Sequence, residues 1–348
     1  MFKSAAIISP VLVLYLITTA FYNTDEGDLT RVGYIARDSD YRKIFKEEFS
    51  RPVYYKSLDR AATQDSPISV LIIGDSFSNQ GRFGYPNYLA EHDSIHVIYS
   101  RLDHYTTNPI QVLYNVIKGD LLDKVTVDYI ILQSVERIFV RRSRNLSINN
   151  SLNLSDIIRG EASKKTKGSN VHAFPSREII NFPLYNLLYP LKDNAYLSTV
   201  YRVELNQPLF SGKRKDELIF LEDDLLYLGS NNDTSSVRML NDKLNTIARQ
   251  LATKGTRLIV LPCVDKYDLY YPYIKNKDDY RAPLFFDHWA PLHKDYIWIN
   301  SKEILRGAIP AKPDIYFYDD THWSPWGAQL IANELAERIL EDQQALDK

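Results

Sequence analysis

Two short polar segments, one near each end of the chain, contain the residue types of a serine nucleophile and its base. Ser76 follows an apolar run that begins at Ile68, and His322 lies close to the carboxyl end. A serine hydroxyl becomes nucleophilic when a base removes its proton, and a carboxylate must orient the histidine that does so. Asp319 and Asp320 precede His322 by three and two residues. The sequence therefore predicts a catalytic triad of Ser76, His322 and one of these two aspartates.

The element that must position Ser76 is a strand predicted at 69–73. A run of Val, Leu and Ile without polar alternation is typical of a strand buried on both faces. Gly74 permits a tight turn at its end, and a helix is predicted at about 77–91. Ser76 would then lie near a helix N-terminus, where free N–H groups favour a developing negative charge. Half of an oxyanion hole is thus expected beside the nucleophile.

Four further strands and several helices complete the pattern. The strands are predicted at 95–99, 127–132, 257–261 and 314–317, and helices at 109–118, 237–254, 293–306 and from about Pro325. Alternating strands and helices predict an α/β fold, a flavodoxin-like three-layer sandwich with a five-stranded parallel sheet. Functional residues in such sheets gather at the carboxyl ends of the strands. We therefore expect the Ser76 and His322 loops to meet at one edge.

The chain is predicted to start with a membrane segment. Residues 5–22 carry no charge, follow Lys3 and precede several acidic residues. This length is at the short end for a bilayer span. The flanking charges predict a single-pass anchor in the inner membrane, with the remainder in the periplasm or outside the cell. A cleaved signal peptide is the alternative.

The predicted organisation has three parts. Residues 1–22 are the transmembrane anchor or signal, 23–66 a membrane-proximal extension, and 67–348 the hydrolase-like domain. An insertion is predicted at about 140–235, with a short helix at 184–191. A small hairpin is also expected there, formed by 218–221 and 225–228.

Composition excludes several classes of protein. The net charge of −2 over 348 residues argues against a nucleic-acid partner. The single cysteine, Cys263, rules out an intrachain disulfide and metal sites of the CxxC type. The histidines other than His322 show no paired metal spacing, so neither a metal nor another cofactor is expected.

The two motifs also carry a family resemblance. Residues 74–78, Gly-Asp-Ser-Phe-Ser, and 320–325, Asp-Thr-His-Trp-Ser-Pro, resemble the SGNH (GDSL-like) hydrolase superfamily. Within it, the nearest match is the bacterial polysaccharide O-acetyltransferases of the alginate type (AlgJ/AlgX-like), loosely over residues 68–341. The resemblance implies an SGNH hydrolase fold and an exported, often membrane-anchored enzyme with a Ser-His-Asp triad. It also implies acetyl transfer onto an exopolysaccharide, often with a membrane-bound O-acyltransferase supplying the acetyl group.

The chain departs from the family pattern in the order of its motifs. The serine motif comes first, as in ordinary SGNH esterases, whereas the alginate-type proteins have it second. The superfamily spacing points to Asp319 as the triad acid and the alginate-type spacing to Asp320, which we slightly favour.

The usual oxyanion residues are also replaced. Arg101 stands near the end of the second strand and Gln133 at the end of the third, where family glycine and asparagine are missing. Either side chain is a candidate oxyanion donor. Glu136-Arg137 resembles a Glu-Arg pair of the acetyltransferase branch, which makes Arg137 a candidate for substrate binding. A structural ion pair of these two residues is the alternative.

The expected function is O-acetyl transfer to an extracytoplasmic polysaccharide through an acyl-enzyme on Ser76. Water in place of the sugar hydroxyl would give a carbohydrate esterase or deacetylase with the same triad. An inactive SGNH-like module that binds glycan is the third hypothesis.

Overall fold

The computed structural model describes residues 2–22, 27–36, 38, 40–58, 68–102, 105–147, 150–162, 177–195, 198–346 and 348. Its strands are β1 Ile68–Ile73, β2 Ile95–Tyr99, β3 Tyr129–Val135, β4 Val200–Glu204, β5 Glu217–Leu221, β6 Arg257–Cys263 and β7 Ile297–Trp298. Five of them form one sheet in the order β2-β1-β3-β6-β7, and β4 pairs with β5.

The α-helices, numbered along the chain, lie before, between and after these strands. They are α1 Phe2–Phe21, α2 Asp28–Val32, α3 Lys46–Phe49, α4 Tyr85–Leu89, α5 Pro109–Lys118, α6 Leu121–Lys124, α7 Glu136–Arg142, α8 Leu154–Ala162, α9 Glu178–Leu188, α10 Glu222–Leu226, α11 Leu228–Asn231, α12 Thr234–Ala252, α13 Lys266–Tyr270, α14 Phe285–Trp289, α15 Ser301–Ala308 and α16 Pro325–Leu346. Short 3₁₀ helices occur at Tyr41–Phe45, Gly81–Phe83, Tyr271–Tyr273 and Lys277–Asp279.

The large sheet is parallel throughout, and β1 lies between β2 and β3. Every residue of β1 and β3 is buried. Because successive side chains point to opposite faces, both faces of the sheet must be covered. Counting only its own strands, the order is 2-1-3-4-5, which is the flavodoxin-like order. The predicted α/β fold with a five-stranded parallel sheet is confirmed.

The fifth strand is not the predicted one. β7 occupies the edge beside β6, within the region predicted as a helix at 293–306, and α15 begins only at Ser301. Residues 314–317 instead form a buried loop in which Tyr316 pairs with Trp323. Asp314 adopts a left-handed backbone conformation, with φ of 57°, that an extended strand cannot contain. β7 has two residues, too few for a sequence pattern to reveal.

The predicted hairpin of 218–221 with 225–228 is also wrong. β5 pairs antiparallel with β4 instead, and the residues that follow β5 form α10. Three acidic residues, Glu222, Asp223 and Asp224, occupy the first turn of α10. Negative charge there is favoured by the helix dipole.

The predicted transmembrane helix at residues 1–22 was wrong as well. Crossing a bilayer takes about 20 predominantly apolar residues in one helix. Within the ranges given above, no helix combines the necessary length and hydropathy.

The predicted extension, residues 23–66, packs on the core, although its residues 23–26, 37, 39 and 59–66 lie outside the described residues. Leu29, Tyr41 and Phe45 are all almost completely buried. The ring of Phe45 lies 5.0 Å from the rings of both Phe317 and Trp326. The extension therefore shares one hydrophobic core with the carboxyl-terminal part of the chain.

Candidate active site

Ser76 lies in a tight turn directly after β1, and its side chain is exposed. A side chain at Gly74 is excluded, since a Cβ there would lie 2.0 Å from Ser78 Oγ. The turn is closed by a hydrogen bond from the Asn79 N–H to the Ser76 carbonyl at 3.1 Å. The helix predicted from residue 77 begins later, as a 3₁₀ turn at 81–83 followed by α4. Ser76 therefore lies in a turn and not at the end of an α-helix.

A buried network beneath the turn holds it in place. The Asp75 carboxylate accepts hydrogen bonds from Gln133 Nε2 at 2.7 Å and the Val135 N–H at 2.9 Å, and it pairs with Arg142. Burial alone would raise the pKa of Asp75, but Arg142 and these hydrogen bonds hold it below its usual value. The Asp75 carboxylate therefore stays charged and fixes the backbone next to Ser76.

Gln133, a predicted oxyanion donor, belongs to this network. Its Oε1 accepts from the Asp75 N–H and from Ser78 Oγ, both at 2.8 Å. Its Nε2 donates to Asp75 and, at 3.1 Å, to Cys263 Sγ. With its amide occupied on both sides and its side chain fully buried, Gln133 is placed as a support of the Ser76 turn.

The imidazole of His322 is held by Asp320. His322 Nδ1 lies 2.6 Å from Asp320 Oδ1, which also accepts the His322 backbone N–H at 3.1 Å. Asp319 instead forms an ion pair with Arg42 at 2.8 Å. Of the two candidate acids, Asp320 therefore has the geometry of the triad carboxylate.

The other nitrogen of His322, Nε2, is buried and has no hydrogen-bond partner among the described residues. The residues around Ser76 contact this loop: the Phe77 ring lies 4.9 Å from the imidazole, and Gln80 Nε2 donates to the Trp323 carbonyl at 2.8 Å. The Ser76 turn and the His322 loop are thus neighbours at one edge of the sheet. Nε2 is left available to accept a proton.

The electrostatics of the pair suit a general base. Burial lowers the pKa of His322, but the Asp320 carboxylate, with smaller contributions from Asp28 and Asp75, raises it above the ordinary value. Burial likewise opposes ionisation of Asp320, whose pKa is nevertheless held far below its usual range by His322 and Arg42. Asp320 therefore remains ionised, and a charged carboxylate in this position would stabilise a protonated imidazole.

A cleft of about 240 Å³ opens beside Ser76. Its lining includes Ser76, Asn79, Arg101, Thr107 and Arg142. Arg101, the second predicted oxyanion donor, is exposed and lies on the same cleft as Ser76. The volume is below the range of roughly 300–1,000 Å³ that is usual for drug-sized ligands.

Arg137 is largely buried and lies away from this cleft. Its guanidinium pairs with Asp265 at 2.8 Å and Asp224 at 3.0 Å. None of these three residues lines the cleft beside Ser76. The neighbouring Glu136 is buried and accepts the Asp265 N–H at 2.8 Å. These contacts favour a structural role for Arg137 over substrate binding.

Three charged residues around the His322 loop were missed by the sequence reasoning. Arg42 binds the two aspartates, and Asp28 accepts hydrogen bonds from the backbone and side chain of Thr321, both at 2.8 Å. Lys266 donates to the carbonyls of Phe317 at 2.8 Å and Tyr318 at 2.6 Å. Arg42 and Asp28 lie in the extension, where no motif marks them. Lys266 follows β6 at the active edge of the sheet, a position that could have singled it out.

Asp28, Asp320 and His322 also place one ligand atom each within 4.8 Å of one another. Both carboxylates are already bound by protein groups, Asp28 by Thr321 and Asp320 by Arg42 and His322. We assign no metal to this cluster.

The carboxyl-terminal segment is similar to a known protein family. Residues 214–348 match the family model described as SGNH hydrolase-like domain, acetyltransferase AlgX. The matched range contains Asp320 and His322, and Ser76 lies outside it. The resemblance drawn from the two motifs is thereby confirmed, and an SGNH-type acyltransferase or esterase is the general class that it supports. No curated protein and no solved structure matches the chain.

Proposed function

We propose that this protein is an O-acetyltransferase that moves acetyl groups onto a polysaccharide outside the cytoplasm. One observation carries the proposal: His322 is bound by Asp320 through Nδ1 at 2.6 Å, and its Nε2 has no partner within the described ranges, in a loop that contacts the Ser76 turn. The Asp320 contact orients the imidazole as a general base needs, and Ser76 Oγ does not hydrogen-bond to Nε2 in this structure, so the proton transfer requires the two side chains to move closer. The AlgX family match supports acetyl as the group transferred.

The first half of the reaction loads the enzyme. Ser76 Oγ attacks the acetyl carbonyl of the donor, and its proton passes to His322 Nε2. The negative charge on the carbonyl oxygen is held by donors on the cleft, the Ser76 N–H and Arg101. The intermediate then collapses, the bond to the donor oxygen breaks, and His322 returns the proton to that oxygen. An acetyl ester of Ser76 remains.

The second half transfers the acetyl group. A sugar hydroxyl gives its proton to Nε2 and attacks the acetyl carbonyl, and collapse of this second intermediate returns the proton to Ser76 Oγ. The acceptor is a polysaccharide, and a membrane-bound O-acyltransferase supplies the acetyl donor. Both partners are proposed on the resemblance to alginate-type proteins.

Acylation by an activated aryl acetate tests the first half. Intact-mass analysis of the wild type should show one added acetyl group, mapped to Ser76 by peptide sequencing. Ser76→Ala and His322→Gln should show none. If the wild type is not acylated, the triad is inactive and the glycan-binding hypothesis is favoured.

A carbohydrate esterase is the second candidate, because Ser76 precedes Asp320 and His322 in the order of ordinary SGNH esterases. The two functions differ in the acceptor. Polysaccharide fragments added to the acetylated enzyme should become acetylated at the expense of free acetate. Acetate release that is unaffected by any acceptor would instead show that water is the natural acceptor.

A further inference from the structure

Arg42 lies against the triad from a segment outside the sheet. It belongs to the 3₁₀ helix at 41–45. Its Nε donates to Asp319 Oδ2 at 3.0 Å, and its Nη2 lies 2.8 Å from Asp319 Oδ1 and 3.3 Å from Asp320 Oδ2. Its guanidinium carbon lies 3.8 Å from the centre of the Phe317 ring. The side chain is only 14% exposed, so water screens these contacts weakly.

The contacts divide the carboxylate oxygens between two partners. Arg42 donates to Oδ2 of Asp319, makes an ion-pair contact with Oδ1 of Asp319, and reaches only Oδ2 of Asp320, so Oδ1 of Asp320 is left for His322. The Arg42–Asp319 pair therefore combines one charge-assisted hydrogen bond with an ion-pair contact. It neutralises the charge of Asp319 and leaves Asp320 as the acid that faces the base.

We propose that Arg42 is a positioning residue of the triad, which selects Asp320 as the partner of His322 and limits the negative charge around the imidazole. The inference rests on the proposed function and assigns it a residue from outside the two motifs.

The segment that carries Arg42 is fixed on both sides. Tyr41 Oη donates to Asp314 at 3.0 Å and accepts the Tyr318 N–H at 2.7 Å. Phe45 packs against Phe317. Arg42 is therefore presented to the aspartates by backbone that is itself anchored to the same loop.

In the part of the chain that the structure describes, carboxylates outnumber cations around His322. The charged groups that face it or its loop are Asp319 and Asp320, Asp28 from α2, Arg42, Lys266 beneath the loop, and Asp75 with its partner Arg142 after β1. Loss of the Arg42 cation would leave the imidazolium form more strongly favoured. The base would then stay protonated at a pH where the wild type is active.

The test is the pH profile of aryl acetate turnover in Arg42→Gln and Arg42→Lys. For Arg42→Gln we expect the acid limb to move to higher pH by about one unit, with a lower plateau rate. Arg42→Lys keeps the positive charge but loses the planar guanidinium. The acid limb of its pH profile should therefore stay at the wild-type pH while its plateau rate falls. Arg51→Gln is the matched control. Arg51 pairs with Glu91 and lies 4.9 Å from the Tyr88 ring, away from the aspartates.

A double variant separates charge from folding. In Arg42→Gln with Asp319→Asn, one cation and one carboxylate are removed together, and the limb should return toward the wild-type pH. An unchanged limb in Arg42→Gln, or an equal shift in Arg51→Gln, would overturn the inference.

An NMR titration of the His322 ring protons makes the result independent of turnover. The signal is identified by its loss in His322→Gln, and its pKa should rise in Arg42→Gln as the limb does. One outcome is that the wild type does not turn over the ester but the His322 pKa is higher in Arg42→Gln than in the wild type. The proposed function is then wrong and the positioning contact stands. The opposite outcome is that the wild type turns over the ester normally but the His322 pKa is the same in the wild type and in Arg42→Gln. The positioning role is then wrong and the proposed function stands.

Discussion

At the scale of single residues, the site depends on which of two adjacent carboxylates contacts the base. Sequence spacing alone left Asp319 and Asp320 as alternatives. The structure separates them by their partners, because Asp319 pairs with Arg42 and Asp320 with His322 Nδ1. Two aspartates with nearly the same position in the chain thus have different tasks.

Replacing each aspartate by asparagine should reveal this difference. Asp320→Asn removes the charge that stabilises the imidazolium and fixes its tautomer, so kcat for an aryl acetate should fall on the order of 10³–10⁴-fold. Asp319→Asn keeps the Asp320–His322 contact, and Arg42 can still pair with Asp320 Oδ2, so kcat should fall by no more than about tenfold. Steady-state kinetics of the two purified variants measure this. Equal losses would contradict the assignment of Asp320.

At the scale of elements, the His322 loop is held by parts of the molecule distant in sequence. The N–H groups of Leu29 and Thr30, at the start of α2, donate to the Asp319 carbonyl at 3.1 and 3.3 Å. Lys266 at the start of α13 supports the loop from the core. The loop is irregular, and these contacts substitute for the hydrogen bonds of a strand.

The approach of α2 to the loop depends on Gly27. Its φ is 69°, and a Cβ there would lie 2.6 Å from the Asp319 carbonyl oxygen. Gly27→Ala should therefore cost stability and also slow acylation of Ser76. Gly255→Ala is the control, since its φ is 79° with open space around it. Backbone strain alone should lower its free energy of unfolding by about 1 kcal/mol. Thermal melts and acylation rates compare the two. Similar acylation in both variants would show that α2 does not matter to the site.

Lys266 gives the stability a pH dependence whose sign can be worked out. Burial lowers the pKa of its amine to about 7, although nearby carboxylates oppose the shift. The unfolded chain, with an ordinary lysine pKa of about 10.4, binds this proton between those two values while the folded chain does not. Lys266 should therefore make the free energy of unfolding increase as pH rises from 7 toward 10.

Lys266→Met should remove that gain. It should also destabilise the protein by about 2 kcal/mol, because the carbonyls of the loop lose their donor. Urea unfolding of both proteins at several pH values measures the difference. Lys275→Met, which removes an exposed ion pair with Glu204, is the control and should change little. A wild-type and a Lys266→Met curve that run parallel from pH 7 to 10 would contradict the buried-amine interpretation.

At the scale of the whole molecule, the predicted extension and the hydrolase-like domain share one hydrophobic core. Residues 27–58 contribute buried side chains, the Arg42 ion pairs and the α2 contacts to the same loop. Their removal would expose Phe317 and Trp326 and leave two buried carboxylates without their cation. Unpaired buried charge is among the costliest defects in a protein.

A chain that starts at residue 68 should therefore melt at a much lower temperature than the full chain, or fail to fold, and should not be acylated. A chain that starts at residue 23 keeps Asp28 and Arg42 and serves as the control, with acylation expected to persist. Thermal denaturation and intact mass after aryl acetate treatment measure both. A normally stable and active chain from residue 68 would show that the extension is dispensable.

The sequence predicted the elements whose patterns are regular. β2 and α5 have the predicted bounds, and α16 begins at the predicted Pro325. The sequence pattern misplaced the fifth strand for two reasons. A two-residue edge strand has no periodicity, and the buried apolar loop at 314–317 has the residue composition of a strand. The two motif loops and the candidate pair of His322 with Asp320 follow from local sequence. Arg42 and Asp28 could not be found in this way, since ion pairs between distant segments leave no local pattern.

The distance in sequence between Arg42 and its partners has a consequence for how the protein is made. Arg42 and Asp319 are 277 positions apart, so a growing chain contains Arg42 and Ser76 long before it contains Asp320 and His322. Contacts of this range close late, after most of the chain entropy has been lost. Reactivity of Ser76 should therefore appear only with the last stages of folding. In a partly synthesised chain the Ser76 hydroxyl should be unreactive.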